Sequence, residues 1–332
     1  MAEHHLLPDE LALAELELGP SVGWDESSRF GGPGRLARRA LQRALRPYLV
    51  RRRTLDTEIV QSLRMSRQRS ELQSLADLAG VPPEDAVEVE TDVGALWLDR
   101  RDKLITPMIE ETANWEGDVT RYLTSVLRPG MVFVDVGANV GYFSVLASRL
   151  VGRTGTVVSI EPEPRTLQLL RANLWRNGCT NAVVLPIAAT STTGRAQLVQ
   201  NEVGLAGSSL EERPGEGTLA VPSAALDELL AGWRVDVLKV DIERHEHLAL
   251  QGAATLVHAN PSAVAVCEFW PHAPQLPGDL TPEDVLAFYA SLGLELCLLE
   301  FNGTAVPAST SEIRAREGPL MNIVLRGPEA PK

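Results

Sequence analysis

From residue 117 onward, apolar runs of strand length alternate with segments whose apolar positions recur every three or four residues. Met131–Asp135, Thr156–Ile160, Ala182–Pro186, Val235–Asp241 and Ala263–Phe269 read as strands, and Leu294–Glu300 and Asn322–Leu325 close the set. Helices are predicted over Val140–Leu150, Pro164–Asn177, Ser223–Leu230, His245–Val257 and Pro282–Leu292, with strand-like pieces at Ala196–Gln200 and Leu219–Val221. Continuously apolar strands alternating with amphipathic helices predict an α/β fold, a mostly parallel sheet covered on both faces. In such sheets the ligand lies at the carboxyl ends of the strands.

Upstream the pattern differs. Residues 1–34 read as a poorly ordered leader ending in Gly31-Gly-Pro-Gly34. Over 35–83 the period is helical, carried by Leu55, Ile59, Leu63, Leu72, Leu75 and Leu78, interrupted at Pro47 and closed by Val81-Pro-Pro83. Val87–Thr91 and Ala95–Leu98, joined through Asp92-Val-Gly94, predict a hairpin that opens a domain over 84–330. No internal repeat or low-complexity tract is evident.

Composition changes this picture little: of 332 residues, 44% are hydrophobic and 23% charged, as in ordinary globular proteins. No apolar run reaches the roughly 18 to 20 residues that span a bilayer, and the acidic start lacks the basic stretch of a signal peptide. Cys179, Cys267 and Cys297 are widely spaced and form neither a disulfide framework nor a zinc pattern. A cytoplasmic protein is the expectation.

Charge changes it more. The formal net charge of −13 conceals eleven arginines between Arg35 and Arg69 against only Asp56 and Glu58, a segment of +9 on a remainder of −22. An acidic body argues against nucleic acid as the partner, since a phosphate groove needs basic lining. The basic arm over 35–69 reads first as solvated arginines docking on the acidic body or on a twin subunit. The alternative is peripheral contact with an anionic membrane surface or an acidic polymer.

The candidate chemistry begins at Asp135, which ends the first parallel strand, and Gly137-Ala-Asn-Val-Gly141, which opens the next helix. A glycine-rich strand-to-helix turn admits a nucleotide to the backbone. A dinucleotide would require G-x-G-x-x-G for its pyrophosphate, and this turn is G-x-x-x-G behind a carboxylate that repels phosphate. The same carboxylate complements a ligand bearing an ammonium and a sulfonium, which describes S-adenosyl-L-methionine (AdoMet). No G-K-[ST] follows, so a Walker loop is excluded. Glu161, 26 residues after Asp135 and at the end of the second strand, is placed to accept both ribose hydroxyls. Either acid alone could be a helix cap or a surface group; their joint placement at adjacent strand tips favours a cofactor site of Asp135, Gly137, Asn139, Gly141 and Glu161.

Phe133-Val-Asp-Val-Gly-Ala-Asn-Val-Gly-Tyr-Phe-Ser144, Ile160-Glu-Pro162, Leu226-Asp-Glu-Leu-Leu230 and Leu238-Lys-Val-Asp-Ile-Glu243 resemble the FkbM family of methyltransferases. Ala188 after the third strand and Glu268 ending the fifth match as well, and the resemblance runs over about 94–326, including Trp115-Glu116. It implies a class I, Rossmann-like methyltransferase fold with a seven-stranded sheet, adds Ala188 to the cofactor site, and supports no metal. It also implies methylation of a hydroxyl oxygen on a saccharide or a glycosylated or polyketide-like metabolite.

An alcohol is a poor nucleophile at neutral pH, and a general base contributes about 10²- to 10⁴-fold. Asp241 and Glu243 are candidates because alternation puts Lys239, Asp241 and Glu243 on one side if the strand stays extended, and His245 because an imidazole has a suitable unperturbed pKa for a base. His245 and His247 read first as a solvated helix start, whereas a buried strand has no structural need for the Asp241 carboxylate at its tip. The spacing of these acids and histidines matches no standard metal-ligand set. Glu268 and His272, beside Phe269-Trp270-Pro271, are further candidates for an acceptor pocket or, equally, parts of an aromatic core with a surface histidine. One departure stands out: the family usually has glycine where this chain has Arg244. Glycine there suggests a tight turn or close approach; arginine could pair with an acidic acceptor or mark lost turnover. A non-catalytic AdoMet-binding module of a polysaccharide-assembly complex is therefore the alternative function.

Overall fold

The computed structural model describes residues 81–82, 84–199, 209–211, 218–274 and 276–330. The chain divides into Met1–Glu84 and Asp85–Lys332, and every element below belongs to the second unit. The leader expected over 1–34 and nearly all of the basic arm over 35–83 lie outside the described residues.

The unit opens with β1 (Ala86–Thr91) and β2 (Gly94–Asp99), an antiparallel hairpin. Thr91 Oγ1 ties its turn by accepting from the amides of Val93 and Gly94. Helices α1 (Ile105–Thr112) and α2 (Gly117–Val126) lead into the main sheet.

That sheet is built on β3 (Val132–Val136), β4 (Thr156–Ile160), β5 (Ala182–Leu185), β10 (Val237–Val240) and β11 (Val264–Phe269), all parallel. Nearly every residue of β3, β4 and β10 is buried regardless of parity, which requires cover on both faces. Beyond β11 the order continues through β14 (Met321–Arg326), β12 (Glu295–Leu299) and β13 (Ala305–Pro307), each antiparallel to its neighbours. The sheet therefore has eight strands and not seven. The tight turn in which Glu300 N bonds Thr304 O and Gly303 N bonds Glu300 O returns the chain alongside β12 as an extra edge strand. The order β5-β4-β3-β10-β11 reverses direction between β3 and β10, and this switch point opens a crevice at their carboxyl ends.

A second sheet, ordered β6-β9-β7-β8, comprises β6 (Ala188–Ala189), β7 (Gly194–Val199), β8 (Ser209–Glu211) and β9 (Thr218–Ala224). It occupies the stretch that reads as polar with strand-like pieces, and it claims Ser223 and Ala224, leaving only α5 (Leu226–Leu229) of the expected helix. Helices α3 (Tyr142–Val151) and α4 (Pro164–Arg176) follow β3 and β4. Glu163 caps α4 by accepting from the amides of Arg165 and Thr166, with Pro164 at the first helical position. Asn173 of α4 docks the hairpin by accepting from Trp97 N and donating to Trp97 O.

The single helix expected over His245–Val257 is two, α6 (Glu246–Gln251) and α7 (Ala254–Ala259). The cause lies outside the segment. The Asp227 carboxylate accepts from Thr255 N and Leu256 N, capping a new helix, while a Cβ on Gly252 would collide with Thr190 O. A final pair, α8 (Pro282–Ser291) and α9 (Thr310–Arg314), each begins with a capping box. Among the described residues no helix is long and apolar enough to cross a membrane.

Candidate active site

The switch-point crevice is a cavity of about 460 Å³, within the range of small-molecule sites. Its floor comes from the β3–α3 turn. Gly137, Asn139 and Gly141 all have left-handed φ, at 81°, 48° and 92°. Glycine is required at 137, where a Cβ would collide with the carbonyl oxygen of Asp241. At 141 a Cβ would come within 2.7 Å of Leu170 Cδ1, so this glycine serves the approach of α4 and does not line the cavity.

The amides of the turn are all committed within the protein. Gly137 N and Ala138 N bond Ile160 O, Asn139 N bonds Glu161 Oε2, Val140 N bonds Asn139 Oδ1, and Gly141 N bonds Ala138 O. A pyrophosphate needs just such amides free, so a dinucleotide has no seat on this turn.

Asp135 lies behind the floor. It is fully buried and absent from the lining; Oδ2 accepts from Ser144 Oγ at 2.6 Å, and among the described residues Oδ1 has no hydrogen-bond partner. The register pairs Asp135 with Lys239 on β10, and of the two only the longer lysine reaches the cavity. Burial raises the Asp135 carboxyl above its ordinary value and Lys239 opposes the rise. Lys239 Nζ sits 2.7 Å from Asp241 Oδ2 and 4.7 Å from the centre of the Phe143 ring. Burial disfavours its charge, but Asp241, Glu116 and Asp135 together hold it above the usual lysine value.

Glu161, Ala188, Asp241 and Glu243 line the cavity, as do Gly137 and Asn139; Asp135, Gly141 and His245 do not. Glu161 accepts from Asn139 N and Glu163 N, and burial raises its carboxyl to about 7. Asp241 and Glu243 share the cavity although β10 ends at Val240 and does not stay extended: Glu243 and Arg244 are left-handed, with φ of 54° and 71°. Glu246 holds this bend by accepting from Ile242 N and Arg244 N through one oxygen. His245 and His247 are buried, so the expected solvated helix start is corrected. His245 Nδ1 meets Glu243 O at 3.0 Å, at the start of α6.

The left-handed φ of Arg244 is the physical reason a glycine suits that place. Its side chain is exposed, outside the lining, and stacks over Trp270 at 5.8 Å. Glu268 and Trp270 line the cavity and are hydrogen-bonded to each other, while His272 is exposed and bonds Arg316 O.

Residues outside the predicted set complete the site. Trp115 and Glu116, ahead of α2, and Leu104, Ile105 and Met108, around α1, also line the cavity. Their only sequence signal is the Trp-Glu pair within the family resemblance; no strand-tip rule points to them. Six carboxylates line the cavity (Glu116, Glu161, Glu163, Asp241, Glu243 and Glu268) against one cation, Lys239. Burial, with neighbouring acids, pushes Glu116, Glu268 and Glu246 each up to about 8. Oxygens of Asp241, Glu246 and Glu268 lie within 4.8 Å of one another. Lys239 already supplies a cation to Asp241, and Glu246 spends an oxygen on two backbone amides, so this trio is accounted for without an ion.

An open sheet with this switch point and antiparallel β14 inserted beside β11, together with an acid-lined crevice, defines the class I methyltransferase fold. Residues 135–290 match the family described as the methyltransferase FkbM domain. A protein-L-isoaspartate O-methyltransferase of Caenorhabditis elegans is 29% identical over 114 residues, 34% of this chain and 48% of that protein. The chain thus spans about half the length of this curated relative. Solved structures similar to the chain include a TehB-like SAM-dependent methyltransferase from Corynebacterium glutamicum (13% identity, TM-score 0.39, covering 67% of this chain and 93% of that one). Another is precorrin-6y C5,15-methyltransferase from Geobacter metallireducens (14% identity, TM-score 0.37, 63% and 87%). The cofactor of the FkbM domain is AdoMet. The donor set fits it: carboxylates suit a sulfonium, an ammonium and ribose hydroxyls, and no amide of the turn is offered to a phosphate.

Proposed function

We propose that the protein transfers a methyl group from AdoMet to a hydroxyl oxygen of a small glycosylated or natural-product acceptor. The observation that carries the reading is the lining of six carboxylates and one lysine above a turn whose amides are already bonded. When bound, AdoMet supplies an electrophilic methyl on a positively charged sulfur. Glu161 would accept from the ribose hydroxyls, and Gly137, Asn139 and Ala188 would shape the wall on that side. Asp135 acts from behind the floor by fixing Lys239, and Gly141 sets the helix that carries the turn. Asp241 and Glu243 face the acceptor, with Lys239 paired to Asp241 and His245 positioning the Glu243 loop.

The rim favours one of the two acceptor classes that the family resemblance leaves open. Leu104, Met108 and Leu320 are 53%, 44% and 41% exposed, and all three line the cavity. A bare saccharide gains nothing from such a rim; an acceptor with an apolar body gains burial. Arg244, which raised the alternative of a non-catalytic scaffold, lies outside the lining and leaves the cavity open.

The test has two stages. AdoMet and its demethylated product S-adenosyl-homocysteine (AdoHcy) should each raise the melting temperature, whereas NAD should not. Labelled AdoMet should then pass its methyl to a component of a cell extract that partitions into organic solvent. Binding without transfer to any fraction would favour the scaffold, and label confined to water-soluble sugars would remove the apolar-acceptor reading.

A further inference from the structure

We propose that Glu116 is the group that takes the proton from the acceptor hydroxyl during methyl transfer. The inference rests on the methyltransferase reading above, and it assigns a residue that strand-tip logic overlooks. Glu116 lines the cavity, and among the described residues its Oε2 is buried without a hydrogen-bond partner. The other cavity acids are engaged: Glu161 by two backbone amides, Asp241 by Lys239, Glu268 by Trp270 Nε1. A buried acceptor with no donor is an expense the fold rarely tolerates without use.

The backbone is set for this position. Glu116 has φ 42° and ψ 70°, a left-handed conformation that glycine would adopt more readily. It is held there because Thr120 N bonds Glu116 O and Thr120 Oγ1 bonds Trp115 O. Strain fixed in this way at a cavity wall is typical of functional positions.

The charged groups that act on Glu116 are Lys239 on β10, Asp241 just beyond it, Glu268 on β11 and Asp118 in the first turn of α2. Burial is the main influence and raises the carboxyl to about 8, with Lys239 opposing and the three acids adding. A base poised near neutral pH serves general-base catalysis best. In the transfer, the acceptor O–H bond breaks and its proton goes to Glu116. The oxygen bonds the methyl carbon as the carbon–sulfur bond breaks, and that electron pair stays on sulfur, leaving neutral AdoHcy.

The proposal is tested on the full chain by calorimetric titration with AdoMet and with AdoHcy at pH 7.5, in two buffers of different ionisation enthalpy. A cationic sulfonium facing Glu116 expels its proton. Wild type should therefore release more protons with AdoMet than with AdoHcy, and E116Q should lose about half of that excess. E116D should restore part of it, and E116G, which suits the left-handed backbone, serves as the variant certain to tolerate the conformation. Equal proton release by wild type and E116Q overturns the proposal, as does equal release with the two ligands. Failure of wild type to bind AdoMet would instead sink the methyltransferase reading itself. On the acceptor that wild type methylates, E116Q should lose about 10²- to 10⁴-fold in kcat with little change in KM for AdoMet. Retained kcat with an unchanged pH profile would also overturn it.

Discussion

The acids at the tips of β3 and β4 and those gathered around β10, β11 and α2 lie in or against the walls of one cavity but are satisfied differently. On the first side, Asp135 has Ser144 and Glu161 has two backbone amides, all supplied within about 30 residues of chain. On the second, Glu116, Asp241, Glu243, Glu246 and Glu268 converge from three separate stretches around a single lysine. The first side is prepared to hold a ligand in one pose. The second gathers more acids than cations, and Glu116, Glu246 and Glu268 there are pushed toward protonation until a cation arrives. On the proposed function, binding and chemistry fall to regions with different electrostatic states.

The harshest way to break this division is at Gly137, where the two sides touch through the Asp241 carbonyl. G137A combines a left-handed alanine with a backbone clash and should destabilise the protein by roughly 2–5 kcal/mol. Chemical denaturation measures it. A change below 1 kcal/mol would mean that the turn and the β10 loop do not depend on each other.

Next in size is the ligand-holding side. E161Q keeps the side-chain shape but replaces a charged acceptor, and AdoMet should bind about 10- to 100-fold more weakly. Calorimetry decides this, and unchanged affinity would remove Glu161 from the cofactor site.

The acid-rich side should show itself through pH. Glu116, Glu246 and Glu268 stand near 8 and Glu161 near 7, all above the ordinary 4.5. A carboxyl with a raised folded-state value keeps its proton after the unfolded chain has lost it, so the folded state binds more protons between those limits. The ligand-free protein should therefore lose stability as pH rises from about 5 to 8, by at least about 3 °C in Tm, and AdoMet should flatten the decline. A Tm that rises over this window would show that the buried acids are ionised and compensated without a ligand.

The same division explains what was legible in the sequence. Asp135, the glycine turn and Glu161 announce themselves because strand, turn and acid are contiguous, and periodicity alone places them at neighbouring tips. Periodicity also yields the parallel core, but not β13, which depends on a turn at Gly303, nor the break at Gly252, which Asp227 imposes from another element. Asp241 and Glu243 were legible as strand-tip acids, although the left-handed bend that keeps both in the cavity was not. Glu116 was legible only as one half of a family-like Trp-Glu pair. Its place opposite Lys239 comes from the path of the chain before the first parallel strand, and no local pattern encodes that. His245 shows the reverse: its pKa class suggested chemistry, and the fold buries it against a carbonyl.

The smallest effect is expected at Arg244, where family pattern and this chain part. R244G would relieve a left-handed arginine, worth about 1–2 kcal/mol. Against this stand the greater flexibility of an unfolded glycine, about 0.5–1 kcal/mol, and the lost stacking on Trp270, about 0.5–1 kcal/mol. These nearly cancel, so stability should move by less than about 1 kcal/mol, and AdoMet affinity should stay within about threefold because the side chain is outside the lining. The arginine is then a tolerated occupant of a glycine position and not the mark of an inactive site. A tenfold gain in turnover on R244G would reverse that conclusion. It would mean that the arginine restrains the Glu243 bend, and that the acid-rich side of the cavity in this chain is held short of its working geometry.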